Sequence, residues 1–238
     1  MPIPQTVTTM EACMTLRAGN EADFWATQER MGPVVASQPG FLAVIGGPIA
    51  RSPWMYFSGK WETPDLMDAW YRSPDHGPVM KGAYDTWFDA FYIRKWRRPA
   101  EGEELTGPLF LETSLVPADA LPQERVDALV TTLTAALPGY GTMPYETLPG
   151  TFEAQPFQFI GPVEEFPQQA PVRYQLNTHW ATPAQLEKWL AGPEMAELAT
   201  LGTVTNEVGV QIHHEPGERR ALNADGSARG WLREGATL

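Results

Sequence analysis

The sequence carries one of its own segments twice, and a chain built from two copies of a unit has few folds open to it. Lys60-Trp61-Glu62-Thr63-Pro64-Asp65-Leu66-Met67-Asp68-Ala69-Trp70 returns as His179-Trp180-Ala181-Thr182-Pro183-Ala184-Gln185-Leu186-Glu187-Lys188-Trp189. Both Trp, the Thr-Pro pair and a later Pro (Pro74, then Pro193) recur at a single offset of 119 residues. Each copy reads as a strand end, an N-cap, a helix and a break. Thr63 and Thr182 suit the cap. Pro64 and Pro183 suit the first helical position, where no amide donor is needed. Leu66, Met67 and Trp70 then share one helical face.

Around the first copy the order is complete. Thr8 to Leu16 reads as a strand. Asn20 caps a helix to about Met31, which Gly32-Pro33 should end. Phe41 to Ile45 is a strand after the Pro39-Gly40 turn, and Trp54 to Trp61 is a third. The repeated helix follows, then a helical piece from about Asp75 to Tyr84 and a strand from Trp87 to Trp96. This is the ferredoxin-like order β-α-β-β-α-β. Arg97 to Gly107, with Pro99, Gly102 and three Glu, reads as a linker.

The second half repeats the order. Leu109 to Val116 is a strand, and Pro122 to Leu137 a helix with Val126, Leu129, Val130, Leu133 and Leu137 in one stripe. Pro138-Gly139-Tyr140 answers Pro39-Gly40-Phe41 at an offset of only 99, so about twenty residues are added before the third strand. This insertion, residues 148–169, holds four Pro and four Phe. Val172 to Trp180 is a strand, Gln185 to Leu201 is helical in pieces, and Thr205 to His214 is the last strand. The divisions are 1–98, a linker at 99–107, 108–215, and a polar tail at 216–238. A four-stranded sheet with helices on one face needs cover on the other. The expected fold is therefore α+β: two ferredoxin-like βαββαβ repeats fused into a pseudo-dimeric α/β barrel.

Charge narrows the partners. The net charge is −12, which disfavours nucleic acid, since phosphate needs a basic surface. No apolar run approaches the ~18–20 residues that span a bilayer, and no leader peptide is evident, so a cytoplasmic protein is expected. The single cysteine, Cys13, forms no intrachain disulfide and reads as buried and inert in a strand.

Three motifs now stand together: Pro39-Gly40-Phe41 at a strand start, Trp61-Glu62-Thr63-Pro64 at a helix start, and the break Ser73-Pro74-Asp75-His76. They resemble the antibiotic biosynthesis monooxygenase family of dimeric α/β barrels, over roughly residues 7–97 and more weakly 107–215. The resemblance implies a cofactor-independent monooxygenase. Its substrate would be a small polyphenolic or quinol-like aromatic, with molecular oxygen as partner. The pseudo-dimer lies within one chain, and a homodimer stays open. One fold hosts many chemistries. The alternatives are a non-oxidative cyclase, isomerase or dehydratase in the same pocket, or a non-catalytic protein that binds an aromatic or haem.

The candidate residues carry two readings each. Trp61 and Trp180 are core, or an aromatic wall for a planar substrate; Trp70 and Trp189 lean to core. His76 starts a helix or acts in catalysis. In haem-degrading members the iron-binding His falls where this chain has Met80 and Ala199, so that ligand is missing. Asn177 and His179 lie two apart on one face of their strand, with Trp180 opposite. Quinol-oxidising members place an Asn shortly before the strand-end Trp, and Asn177 stands three residues before Trp180. Ser58 takes that place in the first half. His179 is the expected base, since its ordinary pKa is near neutrality. Tyr84 and Phe157 complete the expected substrate contacts. His213-His214 face opposite ways and make a poor clamp, so no metal is expected. No Gly-rich phosphate loop follows a strand, and no cofactor is expected. Arg94-Lys95-Trp96-Arg97-Arg98 reads as a solvated strand end. His76 is matched by Met195, His179 by Lys60 and Tyr84 by Thr203. The halves therefore differ, and one dominant pocket is expected, with the insertion as wall or lid, or else as cover for a sheet edge.

Overall fold

The computed structural model describes residues 7–143, 157–167, 171–212 and 231–232. The first half runs β1 (Thr8–Leu16), α1 (Glu21–Ala36), β2 (Phe41–Pro48), β3 (Met55–Trp61), α2 (Pro64–Tyr71), α3 (His76–Gly82), a π-helical turn (Ala83–Trp87) and β4 (Phe88–Arg97). The second runs β5 (Leu109–Pro117), α4 (Gln123–Tyr140), β6 (Thr142–Met143), β7 (Phe157–Ile160), β8 (Glu164–Phe166), β9 (Tyr174–Trp180), α5 (Pro183–Leu190), α6 (Pro193–Leu201) and β10 (Gly202–Gln211), with β11 (Trp231–Leu232) near the end. The fold is mixed α+β around one large antiparallel sheet.

The strand order is β6-β9-β5-β10-β4-β1-β3-β2-β8, with β7 also on β9 and β11 on β4. The order β4-β1-β3-β2 is thus repeated as β10-β5-β9-β6. The two quartets meet at two seams of different build. At one, β4 and β10 touch only by their ends, where Arg97 faces Val210 and Trp96 faces Gln211. The other is made by the insertion. β7 extends the sheet from β9, and β8 pairs with β2. Ala50 donates its amide to the Phe159 carbonyl at 2.8 Å, and Gly161 to that of Pro48 at 3.1 Å. The sheet closes on itself as a barrel-like ring. Residues 157–167 thus cover and join sheet edges; the rest of the expected insertion lies outside the described residues.

The helices pack outside the ring. Thr63 caps α2 through Leu66 N (3.3 Å), and Thr182 forms a reciprocal capping box with Gln185. Trp61 stacks on Trp70 at 6.2 Å, and Trp180 on Trp189 at 6.1 Å. One apolar cluster joins α4, α5 and α6 to β5 and β9, and a second joins α1 and α2 to β1 and β4.

Four readings are corrected. Helix α1 continues through Pro33 to Ala36, because Val35 adds a buried contact beyond the proline and the Ser37 amide bonds back to the Pro33 carbonyl. Asn20 supplies no side-chain cap. Helix α4 runs on through Pro138 and ends at Gly141, whose φ of 82° suits a residue without a Cβ. Part of the expected loose tail forms β11 on β4, opposite Phe91 and Ala90, where the short β4–β10 seam leaves the edge of β4 open. His213 and His214 lie outside the described residues. No described helix is long and apolar enough to cross a membrane.

Trp189 is fully buried in the helix-side core. Replacing it by alanine should cost about 3–5 kcal/mol of unfolding free energy, as large core truncations do. Urea titration checks this; a loss under about 1 kcal/mol would contradict its core placement.

Candidate functional site

Strand alternation sends every second side chain into the ring. On β1 these are Thr9, Glu11 and Cys13; on β3, Tyr56, Ser58 and Lys60; on β4, Arg94 and Trp96. From the other half come Phe110 and Glu112 on β5, and Gln175, Asn177 and His179 on β9. Most are buried, so the ring encloses a charged, hydrogen-bonding interior rather than a greasy one.

His179 stands at one knot of this interior. The Arg94 guanidinium reaches both of its ring nitrogens, at 3.2 Å from Nε2. Arginine has only donors, so the nearer ring nitrogen, Nδ1, is the acceptor in the tautomer that suits both neighbours, with the proton on Nε2 towards Glu11. That Nε2 points at Glu11 Oε2, 3.5 Å away. Trp96 Nε1 donates to the same oxygen at 3.0 Å. The Trp96 ring stacks on His179 at 5.1 Å and on Phe110 at 5.2 Å. Burial and then the Arg94 charge lower the His179 pKa to about 4, with Glu11 opposing them.

A second knot joins the halves through Lys60. Its ammonium donates to Glu112 Oε1 at 2.6 Å and to Glu207 Oε2 at 3.3 Å, while Arg98 holds Glu207 Oε1 at 3.2 Å. Burial alone would pull the Lys60 pKa down, but the two carboxylates outweigh it and raise it. Burial would likewise raise Glu207, yet Lys60 and Arg98 hold it below the usual carboxylate range. Deeper in, Gln175 Nε2 donates to Tyr56 Oη at 3.3 Å and to Asn177 Oδ1 at 2.8 Å. Burial, then Glu112 and Glu11, raise the Tyr56 pKa well above the usual value, so it stays a hydroxyl. Two buried oxygens in this interior have no partner in hydrogen-bonding geometry among the described residues, Glu112 Oε2 and Gln175 Oε1, while Ser58 and Asn177 lie against the Tyr56 hydroxyl. A cavity of about 20 Å³ opens at the β4–β10 seam between Thr9, Trp96, Phe110, Glu112, Glu207 and Gly209. It has room for about one water. Among the described residues, no three His, Cys, Asp or Glu stand together as a metal site.

The expected residues are divided between two places. His179 and Asn177 share the interior. Trp61, Trp70 and Trp180 face the helices, and Phe157 lies in the helix-side core with Trp180. His76 packs on Trp70 at 4.7 Å and Tyr71 at 5.0 Å, outside the ring. Burial takes its pKa to about 4 against a backbone bond at Tyr71. Tyr84 falls in the π-helical turn, and its side chain is outside the description. Cys13 is buried beside Gln158 Nε2, 3.1 Å from its sulfur.

The basic strand end is corrected. Arg94, Lys95 and Trp96 are buried, because β4 runs between β1 and the other half. Lys95 turns outward to Asp68 at 3.0 Å. Sequence reading missed Glu11, Tyr56, Lys60, Glu112 and Glu207. The available signal was a carboxylate at the centre of two apolar strands, Glu11 in β1 and Glu112 in β5.

No protein-family model matches the sequence, and no curated protein matches it. Solved structures do resemble it in shape. An aldoxime dehydratase crystallised with butyraldoxime aligns at TM-score 0.55 and 13% identity, over 87% of this chain and 80% of that one. A second aldoxime dehydratase aligns at TM-score 0.54 and 12% identity, over 97% and 85%. An anthrone oxidase-like protein aligns at TM-score 0.32 and 11% identity, over 88% and 92%. The first two show that the fold is shared.

The sign of the His179 shift fixes its pH effect. Its folded pKa is about 4, below the ordinary histidine value of 6.5, so the unfolded chain takes up the proton first as pH falls. Stability from this neutral imidazole is intact above pH ~6.5 and drains away towards pH ~4, by about 2 kcal/mol at pH 5. In a proton NMR titration the His179 ring signals should move with a midpoint near 4. A midpoint at or above about 6, the free-histidine range, would overturn this.

Proposed function

We propose that the protein is an enzyme acting on a small phenolic or quinol-like molecule, with Glu112 as the base. One observation carries the reading. Among the described residues Glu112 Oε2 is a buried acceptor without a hydrogen-bond partner, while Oε1 of the same carboxylate holds the Lys60 ammonium and Glu112 lines the seam cavity. A buried polar atom left without a hydrogen-bond partner is costly to keep, and a catalytic role is one reason a fold tolerates it. We infer too that the chain is two ferredoxin-like units fused into a pseudo-dimeric barrel; the repeated strand order and the paired Trp stacks support this.

The reaction class comes from the sequence resemblance. The substrate hydroxyl gives its proton to Glu112, and Lys60 steadies the oxyanion that forms. The electron-rich anion passes one electron to dioxygen. The radical pair combines as a peroxide, and loss of water leaves a quinone, with one oxygen atom kept. Positioning and exclusion of water are the protein's share. His179 fits orientation better than proton abstraction. Its ring nitrogens are already engaged, by Arg94 and by Glu11. Asn177 lies across from Glu112 and can steady the bound anion. A second reading is loss of water without oxygen, supported by the fold shared with two aldoxime dehydratases; this is analogy at the level of the fold.

Oxygen uptake with a panel of anthrones and naphthols tests the reaction. Uptake should exceed the buffer rate, and Glu112→Gln should lower kcat by about 10²–10⁴-fold. Product mass separates the readings: a gain of oxygen supports the first, loss of water the second. A Glu112→Gln enzyme that turns over like the parent would remove Glu112 from the role of base.

A further inference from the structure

We propose that the end of β10, from Glu207 to Gln211, is a hinged cover over the seam cavity, and that it lifts from β4 to admit a reactant to Glu112. This rests on Glu112 being the base and adds the route by which a molecule reaches it.

Closed, the cavity has room for about one water. Gly209 shuts it. The strand passes so near its neighbours that a Cβ there would lie 3.0 Å from Trp96 Cβ and 3.4 Å from Phe110 Cδ1. A reactant larger than water therefore meets Glu112 only when this stretch of β10 moves. The strand is built to move at that end. Among the described residues, nine pairs join β10 to β5, from Gly202 to Val210, and two join it to β4. The Ile212 amide adds a bond to the Lys95 carbonyl at 3.0 Å. Gln211 lies past the last pair with β5, so the strand end can turn out from β4 while the rest stays on β5. Gly209, with no Cβ, is where a strand bends most easily.

Glu207 is the clasp. From β10 it reaches two cations of the first half, Lys60 at 3.3 Å and Arg98 at 3.2 Å. Its side chain is 42% exposed, so these ion pairs are screened by water, hold weakly and re-form readily. Glu112 is the opposite case: 5% exposed and 2.6 Å from Lys60. The base and its ammonium therefore stay together when the clasp lets go. The other seam is firmer. It has three pairs between β2 and β8, the Ile49–Ile160 bridge and the amide bonds of Ala50 and Gly161. The ring thus has one side that holds and one that yields, and local opening follows the weaker set of contacts. Closure afterwards shuts water out from the reacting groups.

Thiol labelling of the full chain reads this motion without turnover. Thr9 lines the cavity and is buried, so Thr9→Cys puts a thiol under the cover. Cys13, further along β1, is the control. It is buried in an apolar cluster with Ile45, Tyr56, Ala90 and Ile160, to which β10 contributes nothing. The reagent is N-ethylmaleimide, uncharged and far larger than the cavity, and each rate is divided by that of the same thiol in urea. The new thiol should react at least about tenfold faster than Cys13, and at least about tenfold slower than in the unfolded chain. Glu207→Gln should speed it by about three- to tenfold. Gly209→Ala wedges the strand away from Trp96 and should speed it by about fivefold or more. Added salt should speed it too. Each effect is taken as the excess over Cys13, which removes any loss of global stability. Equal rates for the two thiols, a rate like that of the unfolded chain, or variants that leave the new thiol unchanged would each overturn the proposal. Labelling in the expected pattern, with no oxygen uptake across the aromatic panel, upholds the cover and refutes oxygenation. Oxygen uptake with equal thiol rates does the reverse.

Discussion

The structure depends on charge buried between two sheet halves. Arg94 and Glu11 come from the first half and meet His179 of the second; Lys60 of the first meets Glu112 and Glu207 of the second. Apart from the half-exposed Glu207, none of these groups is solvated enough to stand alone, and removing a buried member leaves its partner stranded at a cost of several kcal/mol. The halves are thus held in one relative register by their inner faces, while their separate helix layers supply ordinary apolar stabilisation outside. The division of labour is clean: hydrophobic burial makes each quartet, and ion pairs with directional hydrogen bonds align the two.

Much of the fold could be read from the residues. The Thr-Pro caps, the Trp pairs on strand end and helix, and the apolar stripe of α4 are local signals, and local physics decides them. The seams were not legible. Strand pairing across about a hundred residues depends on which edges are left open, and no window of sequence carries that. Phe157 and Phe159 look like lid residues in a Pro-rich insertion; only the open edge of β9 shows why they form a strand.

The site was half legible for a related reason. Alternation put Asn177 and His179 on one face correctly, but it could not say which face looks into the ring. Trp61 and Trp180 end their strands one residue beyond Lys60 and His179, and so turn to the helices. Arg94 through Arg98 read as a solvated run because five polar or amphipathic residues usually are. The burial of Arg94, Lys95 and Trp96 follows from the position of β4 between β1 and β10, a fact of topology rather than composition.

The polar inner face also bears on how such a chain comes off the ribosome. The first half is finished before the second exists, and its inner surface then has no cover. An apolar sheet face waiting in water would invite aggregation. Glu11, Ser58, Lys60 and Arg94 keep that face wettable while it waits, and their desolvation is deferred until β5 and β9 arrive with matching groups. Both seams need strands made late: β7 waits for β9, and β4 waits for β10, so the inner face of the first half stays open until nearly all of the sheet has been synthesised.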